Sequence, residues 1–250
     1  MSVNSGDTTV VRRGTYVPGG RGVAAERGWE WIAAGWNLFK KQPGMWIALT
    51  LVALVIFVIL AIIPLVGSVA LTVLSPVFSA GVVIGCRAIE EGQPLEIGHL
   101  FAGFREKFAP LATVGAIYLG ATIAIALAVG LATGASMFAL FAGGDPEAAT
   151  PAALVSMLLA VLVMLALMLP LFMAVWFAPA LVAFQGKGAL DAMKEGFSGC
   201  LRNILPFLVY GIVVVLLSLL ASLPLLLGWL VLGPVLAATL YTSYRDIFLS

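Results

Sequence analysis

Side chains able to do chemistry are few in this chain, and they are scattered. There is one histidine, His99, and there are two cysteines, Cys86 and Cys200. A metal centre needs three or four nitrogen, sulfur or carboxylate ligands converging on one point. His99 has no cysteine near it in sequence and no second histidine to join it, so it reads as an ordinary residue of an amphipathic surface. The two thiols belong to no Cys-x-x-Cys pair and read as small buried side chains in a reducing compartment. Glu90, Glu91, Glu96 and Glu106 are close enough in sequence to gather around a cation; the plainer reading is a solvated loop in which they offset Arg87, Arg105 and Lys107. No Gly-x-Ser-x-Gly, Walker or dinucleotide-binding pattern occurs, which leaves nucleophilic and nucleotide chemistry without candidate residues. The expectation is a protein that is not an enzyme, with no catalytic, cofactor-binding or metal-binding residues.

The elements that carry these side chains are set by composition. Of 250 residues, 62% are hydrophobic and 10% charged, against about 45–50% and about 25% in soluble domains. Too few polar groups remain to cover a soluble surface. A cytosolic enzyme and a disordered chain are excluded, and a net charge of +1 offers no polybasic face for nucleic acid. The class is integral membrane protein.

No Asp, Glu, Lys, Arg or His occurs within 42–86, 108–144, 148–186 or 203–244. A hydrocarbon core of about 30 Å takes roughly 20 helical residues. The first and last runs each hold two spans, divided at Ile63-Pro64-Leu65-Val66-Gly67 and at Leu223-Pro224-Leu225-Leu226-Leu227-Gly228. The spacing predicts spans at 45–63, 67–87, 111–141, 152–185, 204–223 and 227–244. Strands of a membrane barrel alternate polar and apolar residues; these runs are apolar all round. The first 25 residues are polar and Gly-containing, with no signal-peptide core, and are expected to be a disordered cytoplasmic tail, 1–25, before a single transmembrane domain, 26–250. All 13 Lys and Arg fall on one side of the six spans. By the positive-inside rule both termini are cytoplasmic.

A repeat runs through this pattern. Apolar residues at helical spacing mark an interfacial amphipathic helix in 28–43 (Trp29, Ile32, Ala33, Trp36, Phe39), in 96–109 (Ile97, Leu100, Phe101, Phe104, Phe108) and in 188–204 (Leu190, Met193, Phe197, Leu201, Ile204). Each contains a Gly-aromatic pair: Gly35-Trp36, Gly103-Phe104 and Gly196-Phe197. A small-residue segment around Pro76, Pro179 and Pro234 recurs in the even-numbered spans, followed by Arg87 and Arg245 in the outer two copies. The predicted fold is all-α, with six transmembrane helices, three interfacial helices and a three-fold parallel internal repeat over about 28–90, 96–186 and 187–250.

Arg27-Gly28-Trp29-Glu30-Trp31-Ile32, Gly35-Trp36-Asn37-Leu38-Phe39 and Pro43-Gly44-Met45-Trp46 resemble the opening of a family of six-pass bacterial inner-membrane proteins without an assigned activity. More loosely, an interfacial helix plus hairpin with Leu100-Phe101-Ala102-Gly103-Phe104 is similar to the membrane domain attached to some glycerophosphodiester phosphodiesterases, whose catalytic barrel is absent here. Neither resemblance implies a reaction or site residues.

What remains is packing and anchorage. Small residues four apart let helix backbones approach in lipid. Gly81 and Gly85 form such a pair; in the third span Ala116, Gly120, Ala124, Ala128, Ala132 and Ser136 make one ridge, and Thr122, Ala126, Gly130 and Gly134 another. These are candidates for contact within the monomer, for a homodimer seam or for a membrane-protein partner. Trp29, Trp31, Trp36 and Trp46, with Lys40 and Lys41, suit an anionic headgroup layer and membrane lipids as partners. The fourth span comes to about 51 Å, longer than the core, and Pro170 and Pro179 are candidate kinks. With no ionisable group in a span core, the leading expectation is a scaffold, assembly or envelope-homeostasis component acting through helix and lipid contacts. The alternative is a channel or transporter for a neutral or lipid-like substrate, using Thr113, Thr122 and Ser156.

Overall fold

Helix α1 (Arg27–Lys41) leads into α2 (Pro43–Ala61) and α3 (Val66–Glu90); a 3-10 turn, Ile97–Phe101, and a short α4 (Ala102–Glu106) lead into α5 (Phe108–Ala142) and α6 (Pro151–Trp176), continued by α7 (Ala178–Gln185). Then α8 (Ala189–Arg202) leads into α9 (Ile204–Ser222) and α10 (Trp229–Phe248). This computed structural model describes residues 14–142, 151–223 and 227–250, with side chains described except at 135–142 and 151–154. The expected loop at 143–147, Ser136 and part of the turn near Pro224 lie outside what is described. The protein is an all-α polytopic membrane protein. Among the described residues five stretches are long and apolar enough to cross a bilayer: Pro43–Ala61, Val66–Glu90, Phe108–Gly134, Val155–Gln185 and Ile204–Ser222. The sixth expected span, 227–244, is not among them. Its helix, α10, turns polar after Ala238, and Thr239, Thr242, Ser243 and Asp246 are buried by neighbouring helices.

Three units are evident in the element order, each an interfacial segment followed by a hairpin, and their contacts close into a ring. The central members are α3, α6–α7 and α10, the Pro76, Pro179 and Pro234 helices, whose C-terminal ends meet: Gln185 Nε2 donates to the Tyr244 hydroxyl at 2.8 Å, and Arg87 lies 5.4 Å from the centre of the Phe184 ring. Each interfacial segment packs on the central helix of the preceding unit. The 3-10 turn and α4 lie on α3, α8 lies on α6 and α7, and α1 closes the circle on α10. Glycine makes these crossings. A Cβ on Gly35 would meet the Val235 carbonyl oxygen at 2.8 Å, one on Gly196 would meet that of Ala174 at 2.8 Å, and one on Gly103 would collide with that of Val77. Val77 and Val235 each follow the repeat proline, so two of the crossings occur at equivalent positions.

Several expectations need correction. The buried faces are Gly28, Trp31, Ile32, Gly35, Leu38 and Phe39 in α1, and Ala189, Ala192, Met193, Gly196, Gly199 and Cys200 in α8, so Ile32, Phe39 and Met193 turn inward as expected. Trp29, Trp36, Leu190 and Leu201 point outward instead, because the points of closest approach are taken by glycines (Gly28, Gly35, Gly196 and Gly199) and the inward face is centred on them. The second interfacial helix is broken. Glu96 and His99 form a reciprocal cap on the 3-10 turn, with Glu96 N–H donating to His99 Nδ1 at 3.0 Å. The tail expectation fails for 14–25. Helix α10 ends with open carbonyls, and Val17 N–H donates to Phe248 O at 2.8 Å and Arg21 N–H to Ile247 O at 2.9 Å. Thr15 and Ser250 exchange two backbone hydrogen bonds, and Asn203 ties the segment to α8 by accepting from Val23 N–H at 2.8 Å. In the α2–α3 turn it is Leu65 that takes a positive φ, 61°. Gly67 is needed because its Cα faces the Leu60 carbonyl. Pro179 does mark a break, at Phe177 between α6 and α7, whereas Pro170 sits inside α6 without interrupting it.

Candidate functional site

The C-terminal ends of α3, α7 and α10 do not pack to closure. Together with α1 and the 14–25 segment they surround a cavity of about 960 Å³, lined by four arginines (Arg21, Arg27, Arg87, Arg245) and four carboxylates (Glu30, Glu90, Glu91, Asp246), with Tyr16, Tyr241, Tyr244, Trp31 and Phe184 among the ring side chains. Such volumes are typical of small-ligand sites.

Asp246 organises one wall. Arg27 grips it with two charged hydrogen bonds, Nε to Oδ2 at 2.7 Å and Nη2 to Oδ1 at 2.6 Å. Trp31 Nε1 donates to Oδ2 at 2.8 Å, and Arg21 Nε donates to the Asp246 backbone carbonyl at 2.9 Å. Burial opposes ionisation of this carboxyl, but the bonds from Arg27 and Trp31 outweigh it and hold Asp246 below the usual carboxylate range. The opposite wall crosses between units. Glu90, at the end of α3, pairs with Arg245 of α10 and accepts from the Tyr241 hydroxyl at 2.5 Å. Arg87 and Glu91 pair one turn apart at 3.0 Å. Arg87 and Arg245 occupy last turns, where the helix dipole favours positive charge.

Beside the cavity, Glu195 of α8 accepts from the Tyr16 hydroxyl and pairs with Lys187 at 2.8 Å, while Lys187 lies 5.3 Å from the Tyr16 ring centre. Burial works against the Glu195 charge, and Lys187, Tyr16 and the Gly19 N–H overcome it, keeping the carboxyl below its ordinary value. The same burial, helped by Glu195, pushes the Tyr16 hydroxyl up.

A membrane placement has independent support. The chain is similar to a probable inner membrane protein of Burkholderia thailandensis, 28% identical, over 90% of this chain and 92% of that protein. No family model matches the chain, and no solved structure matches it.

The sequence-predicted residues fall into separate groups. Gly81 and Gly85 receive the 3-10 turn. A Cβ on Gly81 would stand 2.5 Å from the His99 carbonyl oxygen, and one on Gly85 would stand 2.7 Å from Leu95 Cδ1. Gly120, Gly130 and Gly134 have nothing within 4 Å, and Ala116, Ala124 and Ala128 are exposed beside them. Of the four tryptophans, Trp29 and Trp36 are exposed, with Lys40 lying 6.0 Å from the Trp36 ring centre. Trp31 and Trp46 are each 2% exposed and cannot anchor in headgroups: Trp31 serves Asp246, and Trp46 Nε1 donates to the Leu38 carbonyl at 3.3 Å. Lys40 and Lys41 are exposed, the latter reaching the Ile89 carbonyl at 3.5 Å. Cys86 and Cys200 are buried and free, and burial raises the Cys200 thiol to about 12. Among the described residues no three His, Cys, Asp or Glu side chains converge as a metal ion requires. The four glutamates do not converge on one point: Glu90 and Glu91 pair with arginines, Glu96 caps a turn and Glu106 ends α4.

The cavity is not anticipated by the sequence reading: Arg245 closes the sixth expected span, Tyr16 and Arg21 fall in the expected tail, and Asp246 has no role. One signal was available: a polar segment, Tyr241-Thr242-Ser243-Tyr244-Arg245-Asp246, ending a helix that is otherwise apolar.

Proposed function

We propose that this chain is a non-enzymatic, multi-pass inner-membrane protein that works as a scaffold or assembly component through its outer helix faces and the lipids around them. Both termini lie in the cytoplasm in this reading, and the chain belongs with six-pass proteins opening on Gly-Trp-x-Trp and Gly-Trp-x-x-Phe. The observation that carries it is the free α5 face. Ala116, Gly120, Ala124 and Ala128 are exposed in line, and a Cβ on Gly120, Gly130 or Gly134 would meet nothing within 4 Å. A helix face this smooth permits close approach by another transmembrane helix. The exposed Trp29, Trp36, Lys40 and Lys41 supply lipid contact.

The test is native mass spectrometry of the protein released from nanodiscs made of its own membrane. A retained dimer or protein partner, lost in the Gly120→Leu/Gly130→Leu variant, supports the reading; a bare monomer from both overturns it. Orientation is checked separately. Carboxy-terminal fusions should be fluorescent with green fluorescent protein and inactive with alkaline phosphatase.

A further inference from the structure

We propose that the cavity at the meeting of α3, α7 and α10 binds a phosphate ester that also carries a primary ammonium group, the chemistry of an ethanolamine phospholipid headgroup. The lining decides the ligand class. Four guanidinium groups face four side-chain carboxylates, so the lining side chains balance in charge and single out neither a simple anion nor a simple cation. A ligand bearing both charges satisfies both sets at once.

The two halves of such a ligand have distinct partners. Arg21 and Arg27 are committed to Asp246 and build the wall. Arg87 and Arg245 each form one ion pair, with Glu91 and Glu90, and their side chains remain 37% and 46% exposed. A guanidinium has five N–H donors in a planar fork that suits phosphate oxygens. These two arginines therefore retain donors for a phosphate between them. Glu90 and Glu91 sit beside them as acceptors for an ammonium, with the Tyr241 hydroxyl already turned to Glu90.

The cavity is blind. One to two turns further into the ring, Ala80 and Val83 of α3, Ala180 and Leu181 of α7 and Ala238 of α10 have no exposed surface. This packing closes the axis of the ring beyond the cavity, which fits binding rather than passage through the ring. The inference does not rest on the α5 face, and failure of either proposal leaves the other standing.

The experiment uses the full purified chain in detergent, offered equal amounts of phosphatidylethanolamine, phosphatidylglycerol and phosphatidylcholine with identical acyl chains. Retained lipid is read by native mass spectrometry, and O-phosphoethanolamine is tested as a soluble ligand by calorimetry. Phosphatidylethanolamine should be retained over both others. Arg87→Gln should weaken that retention about tenfold, the scale of one lost charged hydrogen bond. Glu91→Gln should erase the preference over phosphatidylcholine, whose quaternary nitrogen donates no hydrogen bond. Lys194→Gln, on the exposed side of α8 and away from the cavity, should change nothing. Arg87 and Glu91 pair across one turn at a half-exposed position and Arg87 also lies over the Phe184 ring, so Glu91→Gln should keep the wild-type melting temperature and Arg87→Gln should lower it only slightly while remaining folded; both are measured alongside. Binding of O-phosphoethanolamine supports the site with a soluble phosphoester as its source; retention of the lipid without it supports the site with a lipid source. Equal retention of the three lipids without O-phosphoethanolamine binding, or wild-type binding by a folded Arg87→Gln protein, overturns the proposal.

Discussion

Gly35 of α1 and Val235 of α10 meet so closely that a Cβ on the glycine would stand 2.8 Å from the valine carbonyl oxygen, although 200 positions separate them in the chain. Gly103 and Val77 stand in the same relation between adjacent units. The contact that joins the first unit to the second is thus the one that joins the last unit to the first. The ring is closed by a packing device already present in its open form.

Enlarging the crossing glycines should therefore be costly. Gly35→Val and Gly103→Val each drive a branched side chain into backbone, and overpacking costs about 1–3 kcal/mol or more where the backbone cannot yield. Gly120→Val, with open space around it, should leave stability within about 0.5 kcal/mol of wild type. Thermal unfolding of the three variants in detergent, followed by intrinsic fluorescence, separates these outcomes.

Acid should loosen the bundle at the cavity. Asp246 and Glu195 ionise below their ordinary values in the folded protein. Each therefore stabilises the fold fully above the unfolded-state value, about 4, and that contribution is lost as pH falls through the lower folded value. Melting temperature should be flat near neutrality and decline below about pH 4. Asp246→Asn should lower stability at pH 7 by about 2 kcal/mol, the scale of a charged hydrogen bond lost from a partly buried pair, and flatten the decline. A decline of undiminished size in that variant would remove Asp246 from the explanation.

Tryptophan exposure gives a direct check on the interfacial helices. In bilayers containing brominated lipid, replacing Trp29 or Trp36 by Phe should reduce the quenchable fluorescence. Replacing Trp46, 2% exposed and bonded to the Leu38 carbonyl, should leave the quenched amount nearly unchanged.

Thiol chemistry should be silent in the folded state. Cys86 and Cys200 are both buried, and the Cys200 thiol is shifted to about 12, leaving almost no thiolate at pH 7. A maleimide should label neither residue until denaturant is added. Rapid labelling of the native protein would mean that α8 opens away from α6.

Much of the architecture is determined locally, and the sequence carries it openly. Long uncharged runs must be helical in lipid because each backbone N–H and C=O needs an internal partner. Pro and Gly divide the runs, and the repeated Gly-aromatic and small-Pro segments announce equivalent units. Which face of each interfacial helix turns inward was not readable in that way. Trp29, Trp31 and Trp36 are alike as side chains, and only the close approach of α1 to α10 and α9 buries Trp31 while leaving the other two outside. The same holds for Tyr16, Arg21, Glu90, Arg245 and Asp246. Glu90 stands out in sequence only as one acid of a loop and Arg245 only as the counterpart of Arg87, and the other three carry no mark, until ring closure brings positions up to 230 apart to one cavity. Composition and periodicity decide what each segment is, because they act over a few residues. Pairings between distant segments depend on shape and charge complementarity across the ring, and those exist only once the helices have packed.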